Sequence, residues 1–526
     1  MKKYISIILV AAASWSCTKA LDTVQQNVVE RDAYYANATD SNAESLIAVV
    51  YKESYALQGP FYLGTIHSMS DDAMTYSTVT LTSANNNFNN YYAQYFRINY
   101  LCNLIVDKMS EDSATKRQVK GEAYFWRAWV YLNLIRGWGT PPLADHVLEA
   151  DELTIVNAAP ADLWNYVFTS LEEAIARLPE KAAKGAQGQI GGRVTKGSAN
   201  ALLGKAKVLS GDYAGALAPL EAVISSGKYA LIDDYRQLYH HEADFCDEYM
   251  WEFNAFDGAD VNTYHDEGDT RAEMLTWSTR ELTVPGGLDS GNGAMVDVSA
   301  NLHDFFVARG EERKPRALGT IWSYEETLDR FVELDLVPNR QAAVEALWGS
   351  AGVTSGQGFF RSKMLPWKSD IYDHPVSYSA DRRLKSNWPG MRYAEVLLLY
   401  AEACAQTGSK TSEGLNALNQ VRRRAGLSDE PTLTLPLVKD EKRAEMVFEG
   451  ERFFDLVRWG DAPAVLAERG LNSYRFRGYV KGSTLYDIEV TPVPGATGFQ
   501  SGKDELFPFP YSETVLNPDL KQNQGW

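Results

Sequence analysis

The stretch Ala201 to Leu231, ALLGKAKVLSGDYAGALAPLEAVISSGKYAL, carries two apolar stripes of helical period with a short turn between them. The first stripe enters from Ala199 and runs through Leu202, Leu203, Ala206 and Leu209, spacings that put the side chains on one face of a helix. Gly211, Asp212 and Tyr213 interrupt it with turn chemistry. Apolar positions resume at Ala216, Leu217, Leu220, Val223 and Ile224 and stop near Gly227. The pattern predicts a helix-turn-helix hairpin of tetratricopeptide size, and small residues inside the stripes predict close helix packing.

The same plan recurs on either side. Upstream, Tyr124, Ala128, Tyr131, Leu132 and Ile135 share a helix face. Downstream, Tyr393, Val396, Leu397, Tyr400, Ala401 and Cys404 form another. That helix stops at Thr407-Gly408, and a partner carries Leu415, Leu418, Val421 and Arg422. The fold class expected is therefore mainly α, with tetratricopeptide-like helical hairpins over about 30–230 and 390–460. Between about 231 and 389, scattered Gly, Asp, Trp and Pro replace sustained stripes, which predicts a large irregular insertion of the kind that carries function. The segment 478–526 reads as irregular too, with a strand or two around Leu485 to Val493.

At 526 residues and 45% hydrophobic content the chain suits one large domain or two intimate ones and gives no sign of disorder. Lys2 and Lys3, the apolar run Ile5 to Ala13 and the small-residue approach to Cys17 read as a signal peptide over 1–16. The apolar run is too short to span a bilayer. A Cys ending such a segment is the lipidation site of bacterial lipoproteins, which predicts a mature chain starting at acylated Cys17. A soluble secreted protein is the alternative. Losing Lys2 and Lys3 leaves 49 basic against 69 acidic residues, a formal net charge of −20, and nucleic acid is a poor partner for that. Cys102, Cys246 and Cys404 are scattered and odd in number, so a disulfide framework is not expected.

Five blocks in order resemble the SusD/RagB-like family of outer-membrane nutrient-binding lipoproteins. They are GEAYFWRAWVYLNLIRGWGTPPL from Gly121 to Leu143, the Ala201–Leu231 hairpin with its SGKY element, WPGMRYAEVLLLYAEACAQTG and ALNQVRRRAGL within Trp388–Leu427, EKRAEMVFEGERFFDLVRWG from Glu441 to Gly460, and the ending LFPFPYSETVLNPDLKQNQGW from Leu506 to Trp526. Lys442, Gln524 and Trp526 depart from the usual Arg, Pro and Tyr. Without the family, Glu449, Arg452, Asp455 and Arg458 still read as an i, i+3 ladder of ion pairs along a helix. That reading makes the strongest motif scaffold rather than catalytic carboxylates.

Chemistry-bearing motifs are sparse. No nucleophile elbow, phosphate loop or zinc spacing is present, so no catalytic residue, metal or cofactor is expected. The acidic run His240, His241, Glu242, Asp244, Asp247 and Glu248 reads as a solvated surface before a metal site. A sugar site wants flat rings for C–H faces and amides for hydroxyls. Asp72 to Tyr92, DAMTYSTVTLTSANNNFNNYY, supplies Tyr76, Phe88 and Asn87, although its asparagines suit a plain polar loop equally; Tyr91 and Tyr95 read as core. The insertion adds Trp277, Trp322 and Tyr324. The resemblance implies that sugar contacts come from these two regions. It further implies a surface-exposed lipoprotein, anchored to the outer membrane, that captures an oligosaccharide or polysaccharide and caps a SusC-like TonB-dependent transporter as a lid. A peptide-capturing member of the family and a surface glycoside hydrolase are the rival readings.

Overall fold

The computed structural model describes residues 30–57, 66, 69–74, 86–149, 152, 156–182, 192–254, 297–333, 335, 337–348, 354–355, 357–364, 370, 386–479 and 486–526. Among the described residues helices dominate, and the strands are short and gathered in four small sheets. The expected mainly α class is what folds.

The Ala201–Leu231 hairpin forms as read, from helices Lys196–Ser210 and Tyr213–Ser225. Thr195 caps the first through a capping box with Ser198, and Gly211 ends it at φ 85°, a left-handed turn that favours glycine. Asp212 caps the second by accepting from Gly215 N. A Cβ at Gly204 would stand 2.3 Å from Leu220 Cγ, so the small residues in the stripe are what let the helices touch. The hairpin Tyr393–Thr407 and Thr411–Arg424 repeats the plan, with Gly408 at φ 68° and a Gly414 Cβ position 2.6 Å from Cys404 Cβ. Before them, Asn86–Lys108 packs on Ala114–Trp138, that helix on Pro160–Arg177, and Pro160–Arg177 on Lys196–Ser210. Tyr213–Ser225 then lies directly against Tyr393–Thr407. The helical row is continuous in space although the insertion splits it in sequence. Trp126, Trp138, Tyr95 and Tyr131 fill its core. Among the described residues no helix is long and apolar enough to cross a membrane.

The insertion leaves and returns through one antiparallel strand pair, Tyr249–Phe253 with Trp388–Arg392, in which Phe253 faces Trp388 and Tyr249 faces Arg392. It is less irregular than its composition suggests. Helices Ala300–Ala308, Tyr324–Glu333 and Arg340–Trp348 and the strand pair Ile321–Ser323 with Phe359–Arg361 give it regular structure, and Leu302, Phe306 and Phe359 share a small second core with Ala444, Val447 and Phe448 of the scaffold. The elements are too short for a sustained stripe to show in sequence. In the tail, strand Tyr486–Pro492 pairs with Asn472–Tyr479, and the ending is sewn onto the scaffold. Asn523 donates to Trp138 O and Phe507 O at 3.1 and 2.7 Å, and Gln522 holds both backbone groups of Phe509.

The ion-pair ladder is corrected. Only its last rung, Arg458 to Asp455 at 2.8 Å, lies along the helix. Phe448 at φ 62° and Gly450 at φ 80° break the chain before helix Arg452–Trp459, so Glu449 turns to Arg392 and Lys363 while Arg452 reaches Asp71. These residues belong to a buried network. Arg392 meets Glu248, Glu445 and Glu449, and Arg316 meets Glu311, Glu441 and Glu445.

Candidate functional site

Ser70, Asp71 and Asp72 lead into strand Ala73–Met74, which pairs with Asp297–Val298 of the insertion. Ser299 N donates to Asp72 O at 3.0 Å, and Ser299 Oγ caps helix Ala300–Ala308 by accepting from Asn301 N. Gln357 Oε1 accepts from Ala300 N at 2.7 Å. Two scaffold arginines fix the loop from below. Arg452 grips Asp71 with both Nε and Nη2, at 2.8 and 3.0 Å, and Arg443 reaches Asp72 at 2.8 Å, Asp71 at 3.0 Å and Asn301 Oδ1 at 2.6 Å. Burial pushes both carboxyls up. At Asp71 the hydrogen bond from Arg452 and the charge of Arg443 outweigh that and hold it below the usual value, whereas fully buried Asp72, beside the Asp71 charge, stays above it.

Above this rigid floor opens a cleft of about 270 Å³, walled on the far side by Arg469, Asn472 and Tyr474 at the start of the tail hairpin. Amides, hydroxyls and a tyrosine ring thus meet where the first segment, the insertion and the tail come together. Met74 and Asp297, paired in the strand ladder, are where residues 75–85 and 255–296 join the described fold. A second cleft of about 430 Å³ lies on the scaffold between Tyr51, Tyr55, Arg193 and Phe253.

The residues singled out from sequence fall unevenly. Tyr76, Trp277 and Cys17 lie outside the described residues. Asn87 and Phe88 stand in the first turn of helix Asn86–Lys108 rather than in a loop. Trp322 is corrected: it is 7% exposed on strand Ile321–Ser323, with its indole N–H donated to Leu318 O at 2.7 Å, so its face is not open to a sugar. Tyr324 is likewise buried, against Phe476. The run from His240 to Glu248 is mostly tied up in internal pairs: His240 with Asp370, His241 with Asp244, and Glu248 with Arg392 and Arg424. Among the described residues no group of three or more His, Cys, Asp or Glu is arranged to hold a metal. Asn472, Tyr474, Gln357 and Arg469 were not singled out. Their convergence is spatial, and the only sequence signal was the strand pattern near the tail.

Two family models match the chain. "Starch-binding associating with outer membrane" covers residues 17–207, and "SusD family" covers residues 248–526. SusD-like protein P2 of Formosa agariphila is 23% identical over 444 residues, spanning 79% of this chain and 75% of the relative. A laminarin binding SusD-like protein superposes with a TM-score of 0.69 at 23% identity, covering 94% of this chain and 100% of that one. Surface glycan-binding protein A from Bacteroides fluxus does so with a TM-score of 0.69 at 22% identity, covering 93% and 100%. With the second model spanning more than half of the sequence and every expected hairpin in place, the chain belongs to the SusD family.

Proposed function

We propose that this protein is a non-catalytic glycan-capturing lipoprotein, and that it takes an oligosaccharide in the cleft between the Asp71 loop, the insertion and Tyr474. The observation that carries the reading is the convergence there of amides, hydroxyls and a tyrosine ring on a floor locked by Arg443 and Arg452. A ring for stacking and amides for hydroxyls are what sugar recognition asks of a site, and a locked floor keeps them in place before the ligand arrives. The match of residues 17–207 to a family model described as starch-binding, and the glycan and laminarin binding named for two structural neighbours, support the same ligand class. Tyr76, Asn87, Phe88 and Trp277 stay in the proposal as further contacts.

The proposal extends to place and partner. Acylated Cys17 holds the protein on the outer membrane, and the helical-hairpin side meets a SusC-like TonB-dependent transporter, over which the protein acts as a lid. The family description supports outer-membrane association.

Calorimetry against a panel of soluble oligosaccharides tests the ligand reading. Tyr474→Ala and Asn472→Ala are expected to weaken binding by about 1 to 3 kcal/mol each, while Tyr55→Ala in the other cleft leaves it unchanged. Parental affinity in both cleft variants would remove the site. Turnover of any panel member would replace capture by hydrolysis. Co-purification in detergent tests the partner, and recovery of the protein alone at native expression levels would count against a stable complex.

A further inference from the structure

The hydrogen-bond inventory of the Asp71 cleft is lopsided. Most of its acceptors are consumed internally: both oxygens of Asp71 by Arg452, with Arg443 adding a contact to Oδ2, Asn301 Oδ1 by Arg443 and Gln357 Oε1 by Ala300 N, which leaves Asn472 Oδ1 and the Glu468 carboxylate at the rim. Its donors are left over. The Gln357 and Asn472 side-chain N–H groups have no partner among the described residues.

Arg469 is the extreme case. Buried guanidiniums close by are matched to carboxylates, Arg443 to Asp71 and Asp72 and Arg452 to Asp71. Arg469 instead makes one long hydrogen bond, Nη1 to Met69 O at 3.3 Å, and no ion pair among the described residues. Partial burial pushes its pKa below the usual arginine value, opposed only by the more distant charge of Asp504. A guanidinium carries five donors in a fork that matches carboxylate and sulfate oxygens two at a time. Removing it from water without a partner is costly, and an incoming anion repays that cost where a neutral hydroxyl does so only in part. The acid that also borders the cleft, Glu468, is exposed at its rim and leaves the Arg469 side open.

We infer that the cleft is built for an acidic glycan unit, with Arg469 taking its carboxylate or sulfate group and Gln357 and Asn472 donating to the same group or its neighbouring oxygens. The inference rests on the cleft being the glycan site. It narrows the ligand class from oligosaccharides in general to acidic ones.

Matched oligosaccharide pairs test it on the full mature chain: uronate oligomers against their carboxyl-reduced forms, and sulfated oligomers against desulfated ones. At least one acidic member is expected to bind about tenfold or more tightly than its neutral match, as a charge-assisted pair commonly gives. Arg469→Gln is expected to erase that preference, and Arg469→Lys to keep part of it as a point charge. The pair that shows the preference tells carboxylate from sulfate. An unaltered thermal midpoint in Arg469→Gln excludes misfolding, and Asn472→Ala serves as the second cleft variant should that midpoint fall. Neutral members bound as tightly as acidic ones, or an acid preference that survives Arg469→Gln, would overturn the inference and leave the glycan site standing if Asn472→Ala and Tyr474→Ala still weaken binding. If those two variants change nothing, or if only peptides compete for the cleft, the glycan site itself is wrong.

Discussion

The Arg392 guanidinium and the Glu445 carboxylate meet at 2.9 Å with exposures of 1% and 0%, although 53 residues separate them. Strand Trp388–Arg392 closes the insertion, and helix Leu435–Met446 belongs to the scaffold. Their junction is therefore ionic and dry. Glu445 also receives Arg424 and, at 3.2 Å, Arg316.

Breaking that junction from one side leaves buried charges unmatched. Glu445→Ala is expected to cost about 3 to 5 kcal/mol, read as a lower urea midpoint. A loss below 1 kcal/mol would mean that water or rearranged partners already satisfy the three arginines.

The same network sets an acid limit. Burial alone would raise Glu445, Glu441 and Glu449, yet the arginines around them, with Lys363 at Glu445 and Glu449, hold all three below the carboxylate value of 4.5. Their unfolded forms bind protons first as pH falls. The stability they contribute is complete above about pH 5 and is lost progressively as pH drops through 4.5 toward their depressed folded values. Urea midpoints between pH 6 and pH 3 are expected to fall, and to fall less steeply in Glu445→Gln.

Glu252 has the opposite sign. It is 5% exposed, and burial pushes it up to about 7 against the hydrogen bonds from Phe245 N and Asn387 Nδ2. The folded state then binds a proton that the unfolded state releases between about pH 4.5 and 7, so this residue's contribution falls as pH rises through that window. Glu252→Gln keeps an oxygen for both donors and carries no charge. It is expected to gain stability on the order of 2 to 3 kcal/mol at pH 8 relative to pH 5 when compared with the parent. Parallel pH profiles for the two proteins would show that Glu252 titrates normally.

Gly390 sits in the closing strand under the Trp251 indole, where a Cβ would stand 1.8 Å from Nε1. The ring is 3% exposed and packed edge-on against Phe125 at 5.1 Å, so it has nowhere to retreat. Gly390→Ala is expected to destabilise by about 1 to 3 kcal/mol, measured as a shift in thermal midpoint together with changed tryptophan fluorescence. An unshifted midpoint would mean that the strand pair gives way cheaply.

Much of the scaffold was legible because helical period is a local signal. Ala199 to Leu209 and Tyr393 to Cys404 announce their buried faces by spacing alone, and the caps at Thr195 and Gly211 agree with the stripes. The ladder at Glu449 to Arg458 misled because spacing assumes one unbroken helix, and the left-handed Phe448 is not a residue type that advertises such a turn. Trp322 misled for a related reason: a tryptophan amid glycine and polar residues looks exposed until strand Phe359–Arg361 is seen beside it. The cleft was least legible of all. An arginine short of partners differs from a paired one only in what surrounds it, and Asp71, Asn301, Gln357 and Arg469 come from four separate stretches of chain.

The strand pair at the base of the insertion has one more consequence. Tyr249–Phe253 and Trp388–Arg392 fix where the excursion starts and ends, so its interior is a closed loop of constant span. The entropy of closing such a loop grows only with the logarithm of its length, about 0.6 kcal/mol for each doubling. Changes of length are therefore cheap in closure entropy as long as the buried pairs of Arg316 and Arg392 with Glu441 and Glu445 are kept. In evolutionary terms the scaffold is a chassis and the insertion a cartridge that can change in length, held in its socket by a few buried charges.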